Sequence, residues 1–175
     1  NYALGYGSPA ISWYYASNSS AFTGIYLYKL ETVSAAPVAT FTLSDTSEVK
    51  VYDYSGNNDN LTFDANNSMP YNSTVVEALI KRNVVEIGHS AFYNFPYLET
   101  VTIPDSVDTI GNSAFENCSS LTSLTVKATY PPTLGSGVFT NTNANLVIYV
   151  PAESVNDYKA ASGWSDYASK IQAIS

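Results

Sequence analysis

One histidine and one cysteine limit the nucleophilic chemistry open to this chain. His89 and Cys118 are the only residues of their types, so a thiol–imidazole pair can form in one way only. Such a pair activates the thiol when the imidazole lies within hydrogen-bond reach. A shift of 23 positions aligns His89 with Asn112 and Phe95 with Cys118. This register predicts a histidine at a turn and a packed, inert cysteine.

Metal chemistry has few candidate ligands. One histidine and one cysteine are too few for the ligand set that tetrahedral zinc prefers. For calcium the best candidate is the run from Asp53 to Asp59, with Asp64 at its twelfth position. The run lacks the glycine of a calcium loop at its sixth position, and Leu61 stands at its ninth. We therefore predict a solvated hairpin loop, no metal and no cofactor.

Other catalytic patterns are absent from the sequence. Fifteen acidic residues leave a paired-carboxylate glycosidase open by number, but no spacing places two of them together. The chain has no G-x-S-x-G motif, phosphate loop or dinucleotide fingerprint. We therefore expect that the protein is not an enzyme.

Aromatic residues near the start offer binding chemistry of another kind. Trp13, Tyr14 and Tyr15, with Tyr26 and Tyr28, form an aromatic cluster in the sequence. Tyr and Trp supply large contact areas at low entropic cost, which suits a sugar- or protein-binding platform. The alternative is that these rings fill the core of a small β module, and we favour this alternative.

Charge and hydropathy exclude several partner classes. The formal net charge of −8 opposes binding to nucleic acid or to an anionic membrane. No apolar run approaches the roughly 18 residues of a membrane span. No charged and apolar leader opens the chain, so we expect any export signal, with a lipid anchor as a candidate, upstream of Asn1.

A sequence repeat organises the elements that position these groups. Residues 85–92 recur 23 positions later as residues 108–115. The apolar pairs at this spacing are Ile87 and Ile110, Phe92 and Phe115, Leu98 and Leu121, Val101 and Leu124, and Ile103 and Val126. A period of roughly 20–29 residues that carries L-x-x-L-x-L indicates leucine-rich repeats. Phe139, Ile148 and Val150, 24 positions further on, indicate a shortened third copy.

The flanking segments differ from the repeats and should close their two ends. We predict a β-rich N-terminal module over residues 1–72, packed on the edge of the repeats, then repeats over 73–151 and a cap over 152–175. The N-terminal strands expected are 25–28, 39–43, 49–52 and 61–63, as a small antiparallel meander, and residues 1–20 are expected to be loop with one candidate strand at 11–15. In the cap, helical spacing places Val155, Tyr158 and Ala161 on one face, and Trp164, Tyr167, Ile171 and Ile174 should cover the final repeat.

Alternation along the repeat strands selects candidate binding residues. Val101 and Ile103 should point inward, so their neighbours should point outward. The outward candidates are Thr100, Thr102, Ser123, Thr125 and Tyr149, with Tyr93 and Tyr97 beside a turn. This surface is small and polar, so we expect modest affinity from it.

The repeat Ile87-Gly88-x-x-Ala91-Phe92, followed by Ile103-Pro104-x-x-Val107-x-x-Ile110-Gly111, resembles the BspA-like leucine-rich repeats of bacterial surface proteins. The ending from Ile148 to Lys159 is similar to the C-terminal closure of that family, and the resemblance covers about residues 75–175. It implies export, display on a bacterial surface and adhesion or protein recognition, without any enzymatic activity.

The sequence therefore predicts a mainly β fold with short helical turns, a short right-handed leucine-rich-repeat solenoid of the α/β type. The predicted function is a non-enzymatic, extracellular or cell-surface module that binds a host or neighbouring-cell protein. Two alternatives remain open at this point: glycan binding through the N-terminal aromatics, and a structural spacer within a larger surface protein.

Overall fold

Strands in two sheets are the main regular elements of the described structure. The computed structural model describes residues 37, 39–51, 61–63, 74–81 and 84–175. In chain order the strands are β1 (Ala39–Leu43), β2 (Glu48–Val51), β3 (Leu61–Phe63), β4 (Val75–Ile80), β5 (Val84–Ile87), β6 (Thr100–Ile103), β7 (Thr109–Ile110), β8 (Ser123–Val126), β9 (Thr133–Leu134), β10 (Val147–Val150) and β11 (Ile171–Ala173). The predicted strands 11–15 and 25–28, the aromatic cluster that contains Trp13 and the candidate calcium loop around Asp53 lie outside the described residues.

The chain alternates between the two sheets with each repeat. The first sheet has the order β11-β10-β8-β6-β4-β1-β2, and the second has the order β3-β5-β7-β9. Strands from β3 to β11 pair in parallel with their neighbours from adjacent repeats. Val101 pairs with Leu124 and Leu124 with Ile148, so residues that are equivalent in the sequence repeat are direct neighbours in the sheet. The spacing of the sequence repeat therefore sets the register in which strands of adjacent repeats pair.

Equivalent apolar residues stack in the space between the sheets. Phe92 and Phe115 are fully buried, as predicted, and their rings stack at 5.1 Å with an interplanar angle of 10°. Phe139 continues the stack at 5.9 Å from Phe115, and Phe41 closes its other end at 6.2 Å from Phe92. Aromatic pairs of this kind add about 0.5–1.5 kcal/mol each to the burial of their area.

Glycine recurs where the backbones of adjacent repeats approach closely. A Cβ atom at Gly111 would lie 2.6 Å from the backbone nitrogen of His89, and one at Gly135 would lie 2.5 Å from that of Asn112. The amide of Gly111 donates to the carbonyl of Ile87 at 2.7 Å, which holds the two chains at this distance. The crowding at this glycine thus comes from the neighbouring repeat.

The turn segments are also bonded from one repeat to the next. The amides of Ser90, Phe92 and Asn94 donate to carbonyls of the following repeat at 2.7–2.9 Å. Ser90 and Asn94 have φ values of 56° and 60°, as do their counterparts Ser113 and Asn117 at 55° and 64°. Alternate amides of the turn segment thus bond to the next repeat, so a ladder of hydrogen bonds continues outside the strands.

At the N-terminal end a hairpin continues the first sheet. β1 pairs antiparallel with both β2 and β4, with Phe41 opposite Ala78. The segment 61–63 is a strand as predicted, but β3 is parallel to β5 in the second sheet and does not belong to an antiparallel meander. A strand in this sheet must follow the repeat geometry, which the alternation of its three residues does not reveal. The extent of an N-terminal module over residues 1–72 stays a prediction.

At the C-terminal end a cap donates side-chain hydrogen bonds to the last repeat. It contains the 3₁₀ segments Ala152–Ser154 and Trp164–Lys170, the helix α1 (Val155–Ala160) and β11. Ser154 Oγ, Tyr158 Oη and Trp164 Nε1 donate to the carbonyls of Thr129, Ala128 and Pro132 at 2.7, 2.8 and 2.7 Å. These carbonyls belong to the segment that follows β8, at the end of the stack. The cap thus takes the place of a neighbouring repeat.

The apolar residues of the cap divide into buried and exposed groups. Trp164 and Ile171 are buried, and Tyr167 packs edge-on against Phe139 at 5.1 Å. Ile174, predicted to cover the final repeat, is instead 39 % exposed. The prediction for Ile174 is wrong: its amide donates to the carbonyl of Val150 at 2.8 Å, and because side chains alternate along an extended chain, a residue three positions after the buried Ile171 faces the opposite side.

We expect Gly111→Ala to lower the free energy of unfolding by about 1–3 kcal/mol, because the new methyl group would overlap the backbone of the preceding repeat. Chemical denaturation measures this loss. Lys127→Ala, at an exposed position after β8, is the control and should leave the unfolding midpoint nearly unchanged. A Gly111→Ala protein as stable as that control would contradict the close approach of the repeats.

We expect Trp164→Ala to cost about 3–5 kcal/mol of stability, since the indole is buried and its N–H satisfies the carbonyl of Pro132. Ile174→Ala removes an apolar side chain from the same cap and should change stability by less than about 0.5 kcal/mol. Thermal or denaturant unfolding of both variants checks this contrast. Similar losses for the two variants would show that the cap does not seal the last repeat through Trp164.

Candidate functional site

The outward side chains of the first sheet form two rows across the repeats. Parallel pairing without a shift in register places Thr100 beside Ser123, and Thr102 beside Thr125. Tyr149 pairs with Thr125 and extends the second row. All five predicted outward residues are half-buried, and neighbouring members lie about 4.8 Å apart, which is the spacing of paired strands. The structure therefore brings five of the seven candidate binding residues together.

Sequence reasoning missed four further members of these rows. Glu77 and Leu79 on β4 precede Thr100 and Thr102 by one repeat, and the register of the sheet shows that they are neighbours. Val147 pairs with Ser123, and Gln172 pairs with Tyr149. We call these nine residues the outer face: Glu77, Leu79, Thr100, Thr102, Ser123, Thr125, Val147, Tyr149 and Gln172. The repeat spacing held the signal for Glu77 and Leu79.

The charges near the outer face are separated along the strands. The Glu77 carboxylate accepts a hydrogen bond from Thr42 Oγ1 at 3.1 Å. Glu99, exposed, stands immediately before β6, whereas Lys81 and Lys127 follow the ends of β4 and β8. Because β4, β6 and β8 are parallel, the carboxylates of Glu77 and Glu99 lie toward the N-terminal ends of these strands. The two lysines lie at the C-terminal ends.

Tyr93 and Tyr97 lie apart from the two rows. Tyr93 is 38 % exposed and belongs to the turn segment between β5 and β6. Tyr97 is 57 % exposed and stands near the start of β6, where it faces the hairpin of β1 and β2. The structure thus places Tyr97 at one end of the outer face and does not place Tyr93 on any strand of the first sheet.

A groove of about 650 Å³ lies between the hairpin and the first repeats. We call it the hairpin groove, and its lining residues are Thr42, Leu43, Ser44, Thr46, Val76, Tyr97 and Glu99. Thr42 connects the groove to the outer face through its hydrogen bond to Glu77. Hydroxyl, carboxylate, apolar and aromatic groups all line this groove. Among the described residues, every buried polar side-chain atom has a hydrogen-bond partner.

Comparison with family models identifies the repeats. Residues 64–160 match the model described as BspA-type leucine-rich repeat region (6 copies). The chain belongs to the BspA-type leucine-rich-repeat family. No curated protein matches the chain. Leucine-rich repeats generally mediate protein binding, and the BspA-type family is typically associated with bacterial surfaces. No helix in the described part of the chain has the length and apolarity needed to cross a membrane.

The BspA-type repeats hold His89 and Cys118 in different environments. Cys118 has no exposed surface, and its Sγ–H donates to the carbonyl of Phe92 at 3.1 Å. His89 is exposed, and its Nε2 lies 3.4 Å from Ser90 Oγ. Burial raises the pKa of the Cys118 thiol to about 12. The thiol is therefore protonated at neutral pH and hydrogen-bonded to the backbone of a neighbouring repeat, not to the imidazole.

We expect Cys118 in the native protein to resist alkylation and disulfide exchange at about pH 8, since both reactions require an accessible thiolate. In denaturant the same thiol should react rapidly. Colorimetric thiol titration with and without denaturant checks this. Rapid labelling of native protein, with its unfolding midpoint unchanged, would contradict the buried position.

The same thiol should make stability depend on alkaline pH. The pKa rises from 9.0 in the unfolded chain to about 12 in the native state, so the native state holds the proton more tightly. Its contribution is fully present below pH 9.0 and is lost as the pH rises toward about 12. Tyrosines also titrate in this range, so the measured quantity is the difference in unfolding free energy between the wild type and Cys118→Ala.

Proposed function

We propose that the protein is a non-enzymatic, protein-binding and adhesion module displayed on a bacterial cell surface. We further infer that its stacked repeats form a short right-handed solenoid and that the outer face contacts its partner. The partner class is a surface protein of a host or of a neighbouring cell. This conclusion is carried by one observation: outward side chains align in two rows across the parallel strands of the first sheet.

The composition of the outer face supports recognition of a folded protein. Its central residues are Thr and Ser, which are short and offer both hydrogen-bond donors and acceptors. Because these side chains are short and half-buried, no long group projects from the strands, and a partner can approach them closely. Tyr149 adds an aromatic ring of the kind enriched among interface residues that dominate binding energy.

The area of the first sheet limits the affinity that the outer face can provide. The five strands that carry the outer face, about 4.8 Å apart and about 13 Å long, present about 310 Å². A standard protein–protein interface buries about 800 Å² on each partner. The outer face thus supplies less than half of such an interface, and adjoining surfaces must contribute for tight binding.

Two features of the described residues support the absence of catalysis in this proposal. The only cysteine is protonated and enclosed, and the only histidine lies at a turn beside Ser90. Among the described residues, no three His, Cys, Asp or Glu side chains gather in a group suited to a metal ion. Recognition by shape and hydrogen bonding is the chemistry for which the outer face is suited.

We expect Thr102→Arg to weaken binding at least about tenfold, because a long charged side chain at the centre of the outer face holds a partner away from both rows. The measurement applies the labelled protein to an array of secreted and surface-exposed proteins, and then determines the affinity of each hit. Thr133→Arg places the same side chain on β9 in the second sheet and is the matched control. Both variants should retain the circular dichroism spectrum of the wild type.

Other outcomes would reject the proposal. Hits that weaken equally for Thr102→Arg and Thr133→Arg would place the binding surface elsewhere. A glycan array separates the carbohydrate alternative, because signal lost in Trp13→Ala but kept in Tyr149→Ala assigns binding to the N-terminal aromatics. Silence on both arrays would favour a structural spacer.

A further inference from the structure

The hairpin groove is formed where the N-terminal hairpin replaces a repeat at the edge of β4. One wall is the end of β1 and the turn that follows it, and the other contains Tyr97 and Glu99 from the segment before β6. The amide of Glu99 donates to the carbonyl of Val76 at 2.8 Å, which connects this wall to the floor of the groove. The groove therefore adjoins the outer face and extends it beyond the repeats.

Hydrogen bonds fix the turn wall before any ligand binds. The amides of Leu43 and Thr46 bond within the turn, to the carbonyls of Ser47 and Leu43, each at 2.9 Å. The Ser44 amide donates to the carbonyl of Thr74 at 2.8 Å, which attaches the turn to the strand β4 side of the sheet. Thr46 has a φ of 69°, so the turn holds a non-glycine residue in the left-handed region. A preformed wall lowers the ordering cost of binding.

The groove combines apolar walls with an exposed aromatic ring. Leu43 and Val76 are half-buried, and Tyr97 keeps 57 % of its surface exposed. These groups suit the methylene stem of a long side chain, which packs along apolar surface while its charged head stays at the rim. The face of a tyrosine ring also attracts a cation within about 6 Å of its centre.

One carboxylate lines the groove, and three more belong to residues next to its lining. Glu99 lines it, and Glu48 and Glu77 flank Thr42, because both pair with that residue in the sheet. Asp45 belongs to the turn, where its hydrogen bonds from the Ser47 side chain and backbone lower the pKa of its carboxyl and keep it ionised. Such a field favours a cation over a neutral or anionic group.

Two lysines near the first sheet lie away from the groove. Lys81 and Lys127 follow the C-terminal ends of β4 and β8, whereas the groove lies beside the start of β4. The charge of the groove is therefore complementary to a basic partner, and this agrees in sign with the net charge of −8 of the whole chain.

We propose that the hairpin groove receives an arginine side chain of the protein bound on the outer face. The guanidinium group stacks on the Tyr97 ring and pairs with the Glu99 carboxylate, while the stem lies against Leu43 and Val76. Arginine suits these groups better than lysine, because its planar, weakly hydrated fork pairs with carboxylates and stacks on aromatic rings. This assignment rests on the proposed protein-binding function and supplies the additional contact area that the outer face requires.

The test is a titration of the full isotope-labelled chain, followed through its backbone amide signals in solution NMR. The probes are the blocked tripeptide glycyl-arginyl-glycine and its citrulline counterpart, which is uncharged and nearly identical in shape. We expect saturable shifts for Leu43, Ser44, Thr46, Tyr97 and Glu99, and binding about threefold to fivefold weaker for citrulline. Glu99→Gln should reduce arginine binding by a similar factor, and Glu153→Gln in the cap should leave it unchanged.

Several results would overturn the assignment. Equal binding of both peptides, or arginine-dependent shifts confined to other residues, would reject a cation site in the groove. Shifts of the groove amides by a neutral disaccharide such as cellobiose, without shifts by the arginine peptide, would identify a sugar site instead. Wild-type affinity in both Glu99→Gln and Tyr97→Ala would show that neither proposed contact forms.

The two proposals fail in different measurements. Thr102→Arg lies outside the groove, so this variant should keep peptide binding while it loses binding on the protein array. Loss of the peptide signal with array binding intact rejects the arginine site alone. Peptide binding together with an array that is insensitive to Thr102→Arg rejects the proposed outer face alone.

Discussion

The stacking of equivalent residues from successive repeats is the constraint on which this structure depends. The rings of Phe92, Phe115 and Phe139 are nearly parallel, with centroids 5.1 and 5.9 Å apart. Each ring therefore packs directly against the equivalent ring of the next repeat. A single repeat buries too few apolar groups to offset the conformational entropy of its own backbone and side chains. Stability is therefore a property of the stack, and any residue that separates two repeats weakens both.

A stack of this kind leaves open surfaces at both ends, and the chain closes them by different means. At the C-terminal end Trp164 and Tyr167 pack against Phe139, while side-chain donors satisfy the carbonyls after β8. At the N-terminal end β1 supplies both Phe41 to the ring stack and an antiparallel backbone to the edge of β4. The reversal of direction at that edge breaks the repeat geometry, and the hairpin groove is its consequence.

The sequence predicted well what repeats and poorly what does not. Spacing identified the buried positions of β6, β8 and β10 and the outward residues between them, because each prediction was checked against a second copy. β3 repeats nothing visible in its three residues, so its parallel partner came only from the structure. The hairpin groove combines Val76 and Glu99, which are one repeat apart, with residues of β1 and its turn, which no periodicity relates to the repeats. The burial of Ile174 was predicted wrongly because this residue lies in the cap. It has no equivalent in another repeat that would indicate which way its side chain points.

The division between repeating and non-repeating parts also bears on recognition. Repeats impose similar side chains on successive strands, so the outer face offers similar chemistry at Thr100, Thr102, Ser123 and Thr125. Similar chemistry along a face provides contact area but little to distinguish one partner from another, since specificity is a difference between affinities. Distinct groups concentrate where the repeat ends: a carboxylate, an exposed ring and a fixed turn meet within one groove. Selectivity in a short stack of this type should therefore reside at its closed ends, where the side chains need not match a neighbouring repeat.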